Sequence, residues 1–212
     1  MISFHRTSHR TRGVGAMLAV TGLALTAACG ARGGGGNHNE PAPAATTNSS
    51  HAASGAHNSA DVSFATDMIP HHSEAVEMAD LALAKATDSE IKSLAATIKG
   101  AQAPKILKMT GWLKAWGAPV PSTGSGSAMQ TGMAGIGMMS DAEMTSLSAA
   151  SGSAFDKMWV QMMTRHHQGA VDMAKTELAS GRNSDATALA GQIVTAQTAE
   201  IAKMAAIAKR LG

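Results

Sequence analysis

The sequence predicts an all-α fold, an antiparallel four-helix bundle built from two duplicated helical hairpins. Three observations lead there. The chain has no Tyr, 3 Phe and 3 Trp but 15 Met among its 212 residues. Its core must therefore be filled by Ala, Leu, Ile and Met, a composition of helices rather than sheets. Shifting the sequence by 95 positions superimposes it on itself without a gap from Phe64/Trp159 to Met109/Met204, with 18 identities among the 46 pairs. Duplication of that extent is a fold-scale signal. Within the first copy, apolar residues keep helical spacing at 68, 75, 76, 79 and 83 and again at 91, 94, 98, 101, 106 and 109. Two hairpins with one apolar face each bury those faces against one another.

Residues 1–28 stand outside that fold. Arg6, Arg10 and Arg12 precede the apolar run "VGAMLAVTGLALTAA" and then Cys29, the layout of a secretory signal. "LTAAC" resembles a lipoprotein signal, with Thr26 standing where an aliphatic residue is commoner. The expectation is an extracytoplasmic protein held to the membrane through a lipidated Cys29. The alternative is a plain secretory signal and a secreted chain. With one Cys there is no internal disulfide in either case. Without Arg6, Arg10 and Arg12, 17 Lys+Arg become 14 against 15 Asp+Glu, a net charge of −1. No basic tract of the kind that binds phosphate backbones is present, which excludes nucleic acid as a partner.

Residues 29–60, rich in Gly, Ala, Asn, Ser, Thr and Pro, cannot bury enough apolar surface to order themselves and read as a tether. His38, His51 and His57 lie there, widely spaced, as incidental polar residues. The bundle then occupies 61–212, with hairpins over about 61–116 and 141–212 and a Gly/Ser/Met-rich linker over 117–140. Thr87 with Glu90 marks the start of the second helix, and Ser140 with Glu143 forms a capping box before a short one. Gly181 ends a helix, and Asn183 or Ser184 caps the next. Pro70 and Pro104 are matched by Arg165 and Ala199 in the other copy, so kinks rather than breaks are expected.

The repeated residues carry the chemistry. Met68 lies three and four positions before His71 and His72, so it neighbours both on a helix, and Met78 follows two turns beyond His71. Antiparallel pairing brings Gln102 level with the histidines and Met109 level with Met68. One end of each hairpin is thus expected to gather imidazole, thioether and amide. Met163, His166, His167, Met173, Gln197 and Met204 repeat the pattern, and Met158 and Met162 extend a stripe towards His166. Imidazole with thioether suits copper, above all Cu(I), while hard ions want oxygen. A di-iron bundle would place Glu three residues before His, where Met68 and Met163 stand. Glu74, Glu77, Asp172 and Glu177 are expected on the solvated face. The competing structural reading is that Met stripes fill the core and the histidines are hydrogen-bonded within it. Met129, Met133, Met138, Met139 and Met144 fit either metal collection or simple linker packing.

"MIPHHSEAVEMA" and "RHHQGAVDMA", followed by "Q..KI..M" and "Q..EI..M", resemble the bacterial family called domain of unknown function 305, over about Asp61 to Gly212. The resemblance implies an extracytoplasmic, ferritin-like four-helix fold, with copper handling among some members. It marks His71, His72, Met78, Gln102 and Met109, together with His166, His167, Met173, Gln197, Glu200 and Met204. Lys105 departs from the Glu usual before the Ile, so a carboxylate role is kept only by Glu200. The expected function is copper sequestration or delivery, with metal ions and a lipid membrane as partners and the protein partner left open. A metal-dependent oxidase or peroxidase using Glu74, Glu77 or Glu200 and a metal-free interaction module are the alternatives.

Overall fold

In the computed structural model the described residues are 55–122 and 135–212. Cys29, His38, His51, Met129 and Met133 lie outside them. Five helices form: α1 (Ser59–Lys85), α2 (Ser89–Ala115), α3 (Asp141–Ala149), α4 (Gly152–Ser180) and α5 (Ser184–Leu211). The described residues contain no strand. α1 packs along α2 and α4 along α5, and the two hairpins meet chiefly through α1 against α4. This is the all-α bundle of two hairpins that the repeat predicts. α1 and α2 run unbroken through Pro70 and Pro104. None of the described helices is long and apolar enough to cross a membrane.

Side-chain caps explain most helix starts. Asn58 accepts from the amides of Ala60 and Asp61, and Asp61 returns a bond to the Asn58 amide. Ser140 and Glu143 form the expected capping box. Asn183 caps α5. α2 begins one residue later than expected, because Asp88 and not Thr87 is the cap. Thr87 is occupied elsewhere: its amide and hydroxyl both donate to Asp156.

That contact belongs to a reciprocal pair. Asp156, buried at the start of α4, accepts from the amides of Thr87 and Asp88 in the α1–α2 turn. Asp61, buried at the start of α1, accepts from the amides of Arg182 and Asn183 in the α4–α5 turn. All of these residues are related by the 95-residue shift. Each hairpin therefore ties the turn of the other, and the duplication becomes an approximate two-fold axis between α1 and α4. Charged acceptors on amide donors are among the stronger hydrogen bonds available to a fold.

Two apolar cores lie on either side of that axis. One joins Met78, Ile91, Ile98, Trp159, Met163 and Met204. The other joins Phe64, Met68, Met109, Met173, Leu189 and Ile193. Each is built from the first half of one hairpin helix and the second half of the opposite one. The 95-residue shift exchanges Met68, Met78 and Met109 of one half with Met163, Met173 and Met204 of the other. Burying a side chain of this size stabilises by about 1.5–3 kcal/mol, so both ends of the bundle are secured independently of its middle. His57 stacks on Trp116 at 4.8 Å between ring centroids, so it is more than an incidental tether residue.

One departure from symmetry has a pH consequence. Glu177, expected on the solvated face, is 1% exposed and lies against Asp61. Its repeat counterpart is Ala82. Burial, with the Asp61 carboxylate beside it, pushes the Glu177 carboxyl up to about 8. A carboxyl whose folded value is raised binds its proton more tightly in the native state, so its contribution is full below its unfolded value near 4.5 and is lost as pH rises to about 8. Glu177→Gln keeps a donor for Asp61 and removes the titration. Its melting temperature relative to the unmodified protein should rise progressively across that window, as measured by circular dichroism; a constant difference would contradict a protonated Glu177.

Candidate metal centre

His71 and His72 fall near the middle of α1, and His166 and His167 near the middle of α4. Where these helices cross, the four rings form one layer between the two cores. The sequence leads to one end of each hairpin as the meeting place. The structure puts it at the midpoint, because α1 begins before the histidines by more than three turns and α2 continues well past Gln102. His71 and His166 sit against each other across the axis, with ring centroids 3.8 Å apart and planes tilted by 39°. All four residues are at most 1% exposed.

Burial dictates the protonation of His71, His72 and His166. An imidazolium in this layer would lose its water and face other imidazoles. Burial holds His71 down to about 3, and burial first, then the neighbouring imidazoles and for His72 also Lys105, holds His72 and His166 well below their usual value. The rings of His71, His72 and His166 are therefore neutral, each with one N–H and one bare nitrogen. His71 Nε2 donates to the Ile136 carbonyl at 3.2 Å, and His167 Nε2 donates to Glu200 Oε2 at 2.8 Å. For neutral His71 this leaves Nδ1 bare. Both nitrogens of His72, with Nδ1 of His71 and Nδ1 of His167, have no partner in hydrogen-bonding geometry among the described residues, and the His166 ring has only a loose approach to the His71 backbone. Gln197 Oε1 is also without one. Each unsatisfied buried polar group of this kind costs about 1–3 kcal/mol.

The layer is symmetric in its imidazoles and asymmetric around them. Glu200 on α5 orients His167, while its repeat counterpart Lys105 on α2 carries the opposite charge beside His72. Lys105 Nζ donates to the Ala101 carbonyl and to Gln102 Oε1. Gln197 lies one turn before Glu200 on the same face of α5, as Gln102 does relative to Lys105. Glu74, expected on the solvated face, is instead half-buried, and its Oε1 stands 3.7 Å from His166 Nε2. Burial pushes its carboxyl up to about 7. Glu77 and Asp172 are exposed as expected.

Part of the linker closes the layer, a feature the sequence does not single out. Residues 135–140 cross α1 and α4 above His71. The Ile136 carbonyl accepts from His71, and the Met139 amide donates to Glu74 at 2.7 Å. Gly137 adopts φ +80°, and a Cβ built on Gly169 would lie 2.2 Å from the Ile136 oxygen. Glycine at both places is what allows this strap so close to α4.

Of the twelve expected ligands, the structure joins the four histidines in the layer. It places Met68, Met109 and Met173 in one flanking core and Met78, Met163 and Met204 in the other. Among the described residues no three His, Cys, Asp or Glu are arranged to hold a metal ion by themselves. A site here would therefore draw on thioether or amide donors as well. The donor chemistry fits a soft ion: bare imidazole nitrogens between buried sulfurs.

Comparison with known proteins gives this arrangement its context. The family described as Domain of unknown function (DUF305) matches residues 61–208. The chain belongs to the DUF305 family. A DUF305 protein from Streptomyces coelicolor is 36% identical, with a TM-score of 0.66, over 72% of this chain and 94% of that one. A DUF305 fragment from Deinococcus radiodurans is 31% identical, with a TM-score of 0.63, over 72% and 97%. CopM in its Cu(II)-bound form is 33% identical, with a TM-score of 0.61, over 72% and 97%, and CopM has also been solved in Cu(I)- and Ag-bound forms. No curated protein matches the chain.

Proposed function

We propose that this DUF305 chain binds copper outside the cytoplasm and sequesters or delivers it. The observation that carries the reading is the histidine layer. Its buried imidazoles present unpartnered nitrogens that a borderline or soft cation would satisfy. His71, His72, His166 and His167 are its nitrogen donors. Met68, Met109 and Met173 on one side and Met78, Met163 and Met204 on the other are its thioethers, with Gln102 and Gln197 as amide donors. Glu200 acts from behind His167, fixing its tautomer and ring orientation, as second partners of metal-bound imidazoles commonly do. Copper here is cargo. The copper and silver forms of CopM support the choice of metal, since silver shares the soft, monovalent character of Cu(I).

One observation favours a second reading. Glu74 and Glu200 bring carboxylates to His166 and His167, and a ferritin-like oxidase or peroxidase needs such groups. That reading requires metal-dependent turnover lost with Glu74→Gln or Glu200→Gln, whereas cargo binding needs none.

The signal-like start of the chain and the secreted character inferred for the Streptomyces coelicolor relative support an extracytoplasmic location. A lipid on Cys29 would hold the protein at the membrane ahead of a near-neutral tether that offers no second anchor. Cys29→Ser should then move the protein from the membrane to the soluble fraction. Unchanged membrane association would remove the anchor from this account.

Because the His71 and His166 rings touch, the two histidine pairs act as one layer. His71→Ala with His72→Ala should abolish tight copper binding rather than halve it, and so should His166→Ala with His167→Ala. Anaerobic Cu(I) competition reads this directly; a halved capacity would mean two independent sites. Met68→Leu with Met163→Leu should weaken Cu(I) more than Cu(II), at a packing cost below about 1.5 kcal/mol. A wild-type chain binding copper no more tightly than a scrambled His/Met control would remove the proposal.

A further inference from the structure

The repeat places opposite charges at matching positions beside the histidine layer. Lys105 and Glu200 are related by the 95-residue shift, as are Gln102 and Gln197, and His72 and His167. On α5 the Glu200 carboxylate bonds His167 Nε2 at 2.8 Å. The Gln197 amide oxygen, one turn away, has no hydrogen-bond partner among the described residues. On α2 the Lys105 ammonium donates to the Gln102 amide oxygen at 3.3 Å and to the Ala101 carbonyl at 2.9 Å. Both glutamines are buried and Lys105 is half-buried. The Lys105 charge acts on His72 and interacts with the Glu200 carboxylate.

A lysine on a helix ordinarily carries its ammonium out into water. Here it turns to two protein oxygens, one of them on a buried amide. Thioethers, amides and the neutral imidazoles of His71, His72 and His166 bring no charge of their own. The charged groups beside them therefore decide how the layer treats ions of different valence. Glu200 and Lys105 are two of these, and Glu74 stands 3.7 Å from His166. The energy of an ion near a fixed charge scales with the charge of the ion. An ammonium at 105 thus disfavours a divalent ion by twice as much as a monovalent one. Partial burial limits screening by salt, so the difference persists. A carboxylate at 105, as at 200, would reverse the preference.

We propose that Lys105 selects the valence of the cargo, biasing the histidine layer toward a soft monovalent ion, Cu(I) or Ag(I), and against Cu(II). Lys105 gives no donor to the ion. It acts through its charge beside His72 and through its hold on the Gln102 oxygen, a harder donor that suits Cu(II) better than Cu(I). This inference rests on the copper reading above and adds to it a choice of oxidation state.

The test measures Cu(I) and Cu(II) affinities of the full chain by chelator competition, and the midpoint potential of the bound copper. Lys105→Met removes the charge at similar length. It should tighten Cu(I) and tighten Cu(II) more, raising the ratio of Cu(II) to Cu(I) affinity about tenfold. The midpoint potential should then fall by about 59 mV. Lys105→Glu, which installs the charge of the second repeat, should move both quantities further in the same direction. If one of these variants misfolds, the other decides by the same readout. Lys105→Arg, which restores the charge, should restore the ratio of the unmodified chain. A ratio and potential unmoved by Lys105→Met and Lys105→Glu would overturn this inference and leave the copper reading intact. Equal changes in Cu(I) and Cu(II) affinity would do the same, since packing alone produces them. An unmodified chain that binds neither Cu(I) nor Ag(I) would overturn both.

Discussion

Four imidazoles buried at the crossing of α1 and α4 are the constraint on which the rest of the structure depends. An apolar bundle gains nothing from them. They interrupt what would otherwise be one continuous core, and most of their nitrogens find no hydrogen-bond partner. The fold tolerates this because each end of the bundle has its own core and each turn is tied by an acid from the opposite hairpin. The layer is held from outside rather than by its own bonding.

The two-fold arrangement explains why duplication suits such a layer. A single hairpin brings one histidine pair and one apolar face. A second, antiparallel copy supplies the facing pair at the axis and closes both cores at once. Departures from symmetry then concentrate around the layer: Glu200 against Lys105, Glu74 against Gly169. Glycine at 169 admits the strap, while Glu74 fastens it through the Met139 amide. The two faces of the layer have thus diverged around an unchanged set of rings.

Much of the fold was legible in the sequence because the repeat is gap-free and the helix caps are local. Ser140, Glu143, Gly181 and Asn183 act where their neighbours in sequence place them. The convergence of His71 with His166 was not legible, since helical spacing says which residues share a face but not which helices cross. Asp61 and Asp156 were within reach: the 95-residue shift extends three residues before Phe64/Trp159 to an identical pair. Glu74 and Glu177 were misplaced on the solvated face because a carboxylate in an amphipathic helix is ordinarily solvated. The strap that covers Glu74 and the Asp61 clasp beside Glu177 are tertiary features. Glu200 was marked only by family resemblance, and its bond to His167 supplies the physical reason for it.

The central claim is that copper occupies the histidine layer and draws on both nitrogen and sulfur. X-ray absorption at the copper edge of the Cu(I)-loaded full chain tests it most directly when compared with the chain carrying alanine at 71, 72, 166 and 167. The wild-type spectrum should contain imidazole nitrogen and thioether sulfur around one class of tightly held copper, and the imidazole signature should vanish in the quadruple variant. A spectrum without imidazole scattering, or one unchanged by removing all four histidines, would contradict the account.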